Sequence, residues 1–309
     1  MIVKFIDQFR DRYGVKPICT VLTRHAGVKI APSTYYAFKS RPISARTRRD
    51  SELVPVVRQL HERHYGVYGI VKMWHALKRE GHVVGRDHVA RLMRLAGVHG
   101  VVRGRKPVTT VSDRSAHRFP DLVKRGWDVT DLNTVWVADF TYVRVPSGFV
   151  YVAFITDVAS RRILGWNVDT SRRTSLVTNA LNHALMVRRL SGQRFSVKKL
   201  IHHSDAGTQY TSTELKEALS HAGVRGSIGT VGDALDNALM ESAIGLYKTE
   251  LIHARKRKVW GSVQEVETRT AEWVDWFNTM RVHSSIGYQT PTEFENNYHQ
   301  QTTAGTLSA

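Results

Sequence analysis

At Asn133 the periodicity of the chain changes, and that change limits the fold more than any other feature. Ahead of it, apolar residues recur at helical spacings, with glycines as stops. Beyond it, Val135, Val137, Asp139, Thr141, Val143 and Val145 alternate with Thr134, Trp136, Ala138, Phe140, Tyr142 and Arg144. Both sets are largely apolar, so the run reads as a strand covered on its two faces. Pro146-Ser147-Gly148 reads as a tight turn. Strands are expected over 149–157 and 162–168, then a long helix over 174–189. A short apolar strand over 199–204, a helix over 213–221 and a last short strand over 224–228 follow. Asp236 opens a further helix reaching about Ile252, and another spans Ser262 to about Met280.

The order β-β-β-α-β-α-β-α implies an α/β unit of RNase H-like type: a mixed five-stranded sheet with flanking helices. The front of the chain implies an all-α, helix-turn-helix-like region instead. Val3, Phe5, Ile6, Phe9 and Tyr13 mark a first helix, 18–25 a second, and Pro32 opens a third. The run 40–49 reads as a basic linker. From Ser51 a second helical unit begins, with an apolar stripe over 53–61, a helix over about 70–80 and a turn and helix over 83–97. In the last of these Val89, Leu92, Met93 and Ala96 fall inward at i, i+3, i+4 and i+7, leaving Arg86, Arg91 and Arg94 on the other face. The division expected is 1–50, 51–105, a basic linker 106–126, a core 127–285 and a C-terminal loop, short helix and tail 286–309.

The net charge of +18 is uneven. Through Arg125 there are 26 Lys and Arg against nine Asp and Glu, so nearly all of the excess lies in the front. That pattern fits a polyanionic partner gripped by the helical region, and Arg86, Arg91, Arg94, Arg103, Arg105 and Lys106 are the candidate contacts. A merely soluble basic surface is the bland alternative. One cysteine, Cys19, excludes an internal disulfide. No signal-like start and no apolar run of membrane-spanning length is present, so the expectation is a soluble intracellular protein without a membrane partner.

Three acids interrupt these elements in a way that plain packing does not explain. Asp139 lies inside the first strand, Asp205 closes the fourth in His203-Ser204-Asp205-Ala206-Gly207, and Glu241 lies in the helix after it. Carboxylates in such apolar settings are costly unless paired or bound to metal. Three that converge are the usual protein supply for two divalent ions acting on a phosphodiester. Asp157 rivals Asp139 but reads better as a turn residue. Asp233 and Asp236 rival Glu241, with Asp236 better placed as a helix cap. Lys248 shares the face of Asn237 and Glu241, and Lys248 and Lys256 could reach phosphate. His202, His203 and Cys19 lack zinc-ligand spacing, and no nucleophile elbow surrounds Ser204.

Taken with Trp136 to Tyr142, His203 to Tyr210, Asp236 to Ser242, Trp276-Phe277-Asn278, Arg281 to Pro291 and Tyr65-Gly66-Val67-Tyr68-Gly69, the chain resembles the IS3-family insertion-sequence transposases across nearly its full length. It looks like their second-reading-frame product, because no sustained heptad repeat of the first frame is present. The resemblance implies a DDE integrase core in which Asp139, Asp205 and Glu241 are catalytic and bind two Mg2+ ions, with Mn2+ as a substitute. It also implies strand cleavage at element ends and strand transfer, on double-stranded DNA of ends and target. The implied assembly is a homo-oligomer on DNA, helped by an upstream first-frame protein or fusion. The implied location is the bacterial cytoplasm, on the nucleoid. The competing readings are an RNase H-type nuclease and a DNA-binding regulator with an inactive core.

Overall fold

The computed structural model describes residues 2–102, 121–123, 129–193, 195–229, 238–253 and 260–307. The chain divides into two compact units, residues 1–55 and 56–309. In the first, α1 (Ile2–Tyr13), α2 (Val15–His25) and α3 (Pro32–Ser40) enclose Ile6, Val15, Ile18, Cys19 and Tyr35. Pro32 starts α3 because its missing N–H is not needed in a first turn. The Tyr35 hydroxyl donates to Asp7 Oδ1 at 2.7 Å, which ties α3 to α1.

One expectation fails here. The supposed linker 40–49 and the helix after it are largely one helix, α4 (Ala45–Arg63). Ser44 Oγ accepts from the Thr47 N–H at 3.1 Å and so caps the start, and the Ala and Arg that follow are good helix formers. Pro55 lies inside α4, where it withholds one N–H from the ladder, and the two units divide at this residue.

In the second unit α5 (Ile70–Arg79) and α6 (Arg86–Ala96) precede the sheet. In α6 the buried residues are Val89, Leu92, Met93 and Ala96, the stripe expected from spacing. The strands are β1 (Val135–Val145), β2 (Gly148–Asp157), β3 (Ile163–Asp169), β4 (Ile201–Ser204) and β5 (Arg225–Ile228), in the spatial order β3-β2-β1-β4-β5. The first three pair antiparallel, while β4 runs parallel to β1 and β5 parallel to β4. This is the mixed five-stranded sheet expected.

Helices cover both faces, which is why β1 is apolar on both. Trp136, Ala138 and Ile155 pack with Leu176, Leu181 and Leu185 of α7 (Thr174–Leu190) and with Leu215 and Leu219 of α8 (Thr213–Ala222). Gly165 permits that approach, since a Cβ there would lie 2.1 Å from Ala180 O. On the other face Phe154 meets Tyr247 of α9 (Ala238–Tyr247) at 5.0 Å and Trp273 of α10 (Val263–Thr279) at 6.2 Å, ring to ring.

The helical part of this unit docks on the chain's end. Tyr65 and Trp276 rings lie 4.8 Å apart, His64 stacks on Tyr68 at 4.1 Å, and His75 on Tyr288 at 3.8 Å. The Tyr68 hydroxyl accepts from Val282 N–H at 2.9 Å, and Arg79 donates twice to Glu293 at 2.7 Å. The final helix, α11 (Pro291–Leu307), is 17 residues long, not the short helix with a frayed tail from Gln301 that was expected. Among the described residues no helix is long and apolar enough to cross a membrane.

Candidate active site

Register brings the first two acids together. Val135 to Ala138 of β1 pair in parallel with Ile201 to Ser204 of β4, ending at Ala138 beside Ser204. One position further along the same offset stand Asp139 and Asp205. Each follows the last pair by one residue, and both charges bear on the buried Tyr210. Asp139 is half-buried, lies opposite Phe154 of β2, and accepts at Oδ1 from the Phe140 N–H at 2.7 Å. Asp205 lies just past β4, with Oδ1 accepting from the Gly207 N–H at 3.1 Å.

The third acid arrives on α9, which packs on β1. Glu241 lies in its first turn and is exposed. Although Asp205 opens to solvent as a residue, the protein packed around its carboxyl raises the pKa, and the charge of Glu241 raises it further. The Gly207 N–H and His203 work in the opposite sense. Tyr210, fully buried, is pushed well above its ordinary value by burial and then by the charges of Asp139 and Asp205. The three acids therefore share one electrostatic neighbourhood. Among the described residues, however, no three acidic, histidine or cysteine side chains are drawn in to metal-ligand distances.

The rivals separate. Asp157 is wholly buried and structural: it accepts from the N–H groups of Asn133, Ala159 and Ser160 at 2.8–3.1 Å and lies 3.6 Å from Arg188. Asp233, Asp236, Asn237 and Lys256 lie outside the described residues, as do Arg103, Arg105 and Lys106 of the basic linker. Arg86 and Arg94 are exposed on α6, while Arg91 is half-buried. Lys248 follows α9 as the first residue of a π-helical turn (Lys248–Ile252), where the α-helix expected to reach Ile252 widens. Its Nζ lies 4.7 Å from the centre of the exposed Tyr142 ring on β1.

Spacing alone did not point to Tyr210 or to the Gly207 N–H. Both lie within the motif around Asp205, five and two residues on. Only the fold reveals that the turn after β4 folds back so that one bonds the acid and the other packs beneath it.

The model of the integrase core domain matches residues 130–234 and 222–291, and that of an HTH-like domain matches residues 48–106. Over 272 residues the chain is 46% identical to a protein of the insertion sequence element IS986/IS6110 from Mycobacterium tuberculosis, covering 88% of this chain and 97% of that one. Over 303 residues it is 42% identical to the transposase for insertion sequence element IS629 from Shigella sonnei, covering 96% and 97%. Among solved structures, the HTLV-2 integrase catalytic core domain in complex with magnesium aligns with 53% of this chain and 96% of its own, at 15% identity and a TM-score of 0.36. With a full-length relative at this identity and integrase-core matches over the sheet and its acids, the chain belongs to the IS3 family of insertion-sequence transposases.

Proposed function

We propose that this chain is a DDE transposase that cuts DNA strands at the ends of an insertion sequence and joins them to a target, with Asp139, Asp205 and Glu241 as its catalytic and metal-holding residues. The observation that supports the reading is the parallel pairing of β1 with β4 up to the residues just before Asp139 and Asp205, with the charge of Glu241 bearing on Asp205. Three carboxylates are hard oxygen donors of the kind that Mg2+ prefers, and Mn2+ accepts the same set. Burial and the charge of Glu241 raise the Asp205 pKa, and Asp139, Asp205 and Glu241 are the residues that would hold such ions. When bound, divalent ions activate the attacking water or 3′-hydroxyl and stabilise the leaving 3′-oxygen of an in-line displacement.

The chain's own residues supply position. The Gly207 N–H fixes one oxygen of Asp205, and the packing of α9 on β1 carries Glu241 to the strand ends. Lys248, two turns beyond Glu241, is placed to contact a DNA phosphate. Arg86, Arg91 and Arg94 of α6, with Arg103, Arg105 and Lys106, grip the duplex away from the chemistry, so the helical region 51–105 binds and the core 127–285 cuts. The assembly on DNA is a homo-oligomer, with the first-frame protein as its upstream partner.

The test is cleavage by the purified chain of a labelled duplex carrying the element's end, set against an RNA–DNA hybrid of the same sequence, with and without Mg2+. Nicking of the DNA end that requires Mg2+ is expected. Cutting of the hybrid in preference to the end would favour a nuclease of RNase H type and contradict the reading.

A further inference from the structure

A cavity of about 630 Å³ lies behind the catalytic helix, lined on one side by Ala238, Leu239, Ser242 and Leu246 of α9. At roughly 100° per residue these fall along one side of the helix, while Glu241 falls on another. The cavity is therefore distinct from the face that carries the acid.

Its other walls hold three cations, Lys72, Arg161 and Arg281. Arg281 is already engaged: its guanidinium donates to both oxygens of Glu250, at 2.6–3.1 Å. That ion pair leaves Lys72 and Arg161 as the remaining basic groups of the lining. Lys72 lies over the Tyr68 ring at 5.4 Å, and burial, with the Arg281 charge beside it, lowers its pKa to about 7. Arg161 closes the turn between β2 and β3 with a backbone φ of 64°, its N–H donating to Asp157 O at 2.9 Å. Among the described residues its buried Nε has no hydrogen-bond partner, and neither does the Oγ1 of Thr156, a cavity residue only 1% exposed. Ser242, Ser284 and Ser285 add hydroxyls, whereas Leu239, Leu246 and Phe277 form an apolar wall.

Two basic side chains outside the Arg281–Glu250 pair, unsatisfied donors and an apolar wall in a cavity of this size match a phosphate ester on a flat organic body. We propose that the cavity binds one nucleotide, with its phosphate on Lys72 and Arg161, its oxygens bonded by Thr156 and the serines, and its base against the apolar wall. The nucleotide is either free or an unpaired unit of a DNA strand, and the recognising chemistry is the same. The site needs none of the three acids, so it stands or falls apart from the transposase reading.

The test is calorimetric titration of the full chain with a deoxynucleoside monophosphate, the same deoxynucleoside without phosphate, and duplexes with and without one unpaired 3′ nucleotide. Saturable binding of a phosphorylated probe is expected, with the nucleoside weaker by about tenfold or more, as loss of charge-assisted hydrogen bonds implies. Lys72→Met should weaken it by a similar factor. So should Arg161→Gly, which suits the left-handed backbone and so preserves folding. A mononucleotide bound as tightly as the overhanging duplex identifies a free ligand, and preference for the overhang over the blunt duplex identifies a strand end. No saturable binding of the mononucleotide together with equal binding of blunt and overhanging duplexes, or binding unaltered in both cavity variants, would overturn the proposal.

Discussion

Tyr210 lies at the meeting point of the site's charges, with its ring buried beside Phe140 and its hydroxyl without a hydrogen-bond partner among the described residues. A buried hydroxyl left unbonded costs stability, so Tyr210→Phe should be neutral or stabilising by up to about 1 kcal/mol in urea denaturation. A clear loss would mean that the hydroxyl has a role that the fold leaves unseen. His64 is the second informative residue. Burial, reinforced by Arg63 and Arg79, lowers its pKa to about 4 from an ordinary 6.5. The folded state then holds it neutral while the unfolded chain takes up a proton, so the stability is full above pH 6.5 and is lost as pH falls towards 4. At about 1.4 kcal/mol per pKa unit the loss from this residue is about 3 kcal/mol. His64→Gln, which does not titrate and keeps an acceptor for the Trp276 Nε1–H, should flatten that part of a stability-against-pH curve. An unaltered slope in the variant would remove His64 from the account. At this scale the acids were legible because a charge inside an apolar strand pattern stands out in any window. Tyr210 and His64 were not, because an aromatic or histidine in a motif looks the same whether it packs a core or borders a site.

Strands and helices of the core were legible almost to their ends, since apolar alternation and the helical stripe depend only on which faces are covered. The exceptions have local causes. Ser44 caps a helix that its basic sequence disguised as a linker, and α9 widens into a π turn at Lys248, which no spacing rule foresees. Close approach between elements was also invisible. Gly165 lets α7 lie against β3, and Gly165→Ala should cost about 1–3 kcal/mol or more in thermal or urea unfolding, as overpacking does. Retained stability would show that α7 can shift outward without loss.

Over the whole molecule, sequence reading treated the helical front and the core as successive units joined by a linker. The fold instead seats residues 64–79 on residues 276–293 within one compact unit, so motifs far apart in the chain are each other's partners. A second long-range tie is ionic. Glu295 of α11 takes two bonds from Arg188 of α7, at 2.6 and 2.8 Å, one from Arg162 at 2.6 Å, and one from the Ser160 hydroxyl at 2.8 Å. Burial raises the Glu295 pKa, but the bonds and charges of Arg188 and Arg162 outweigh it, so the net shift is downward. Glu295→Gln should therefore destabilise the fold by about 3 kcal/mol, since one charge of a buried set loses its partner. A loss below about 1 kcal/mol, the range of surface pairs, would mean that α11 is not anchored there. The account as a whole rests on the convergence of Asp139, Asp205 and Glu241. The most direct measurement is Mg2+-dependent cleavage of end DNA by Asp205→Asn, with duplex binding followed on the same preparation. The expected result is cleavage reduced by about a thousandfold or more, as for loss of a central charge-stabilising group, with duplex affinity unchanged. Cleavage close to the parent's rate would contradict the assignment of the site.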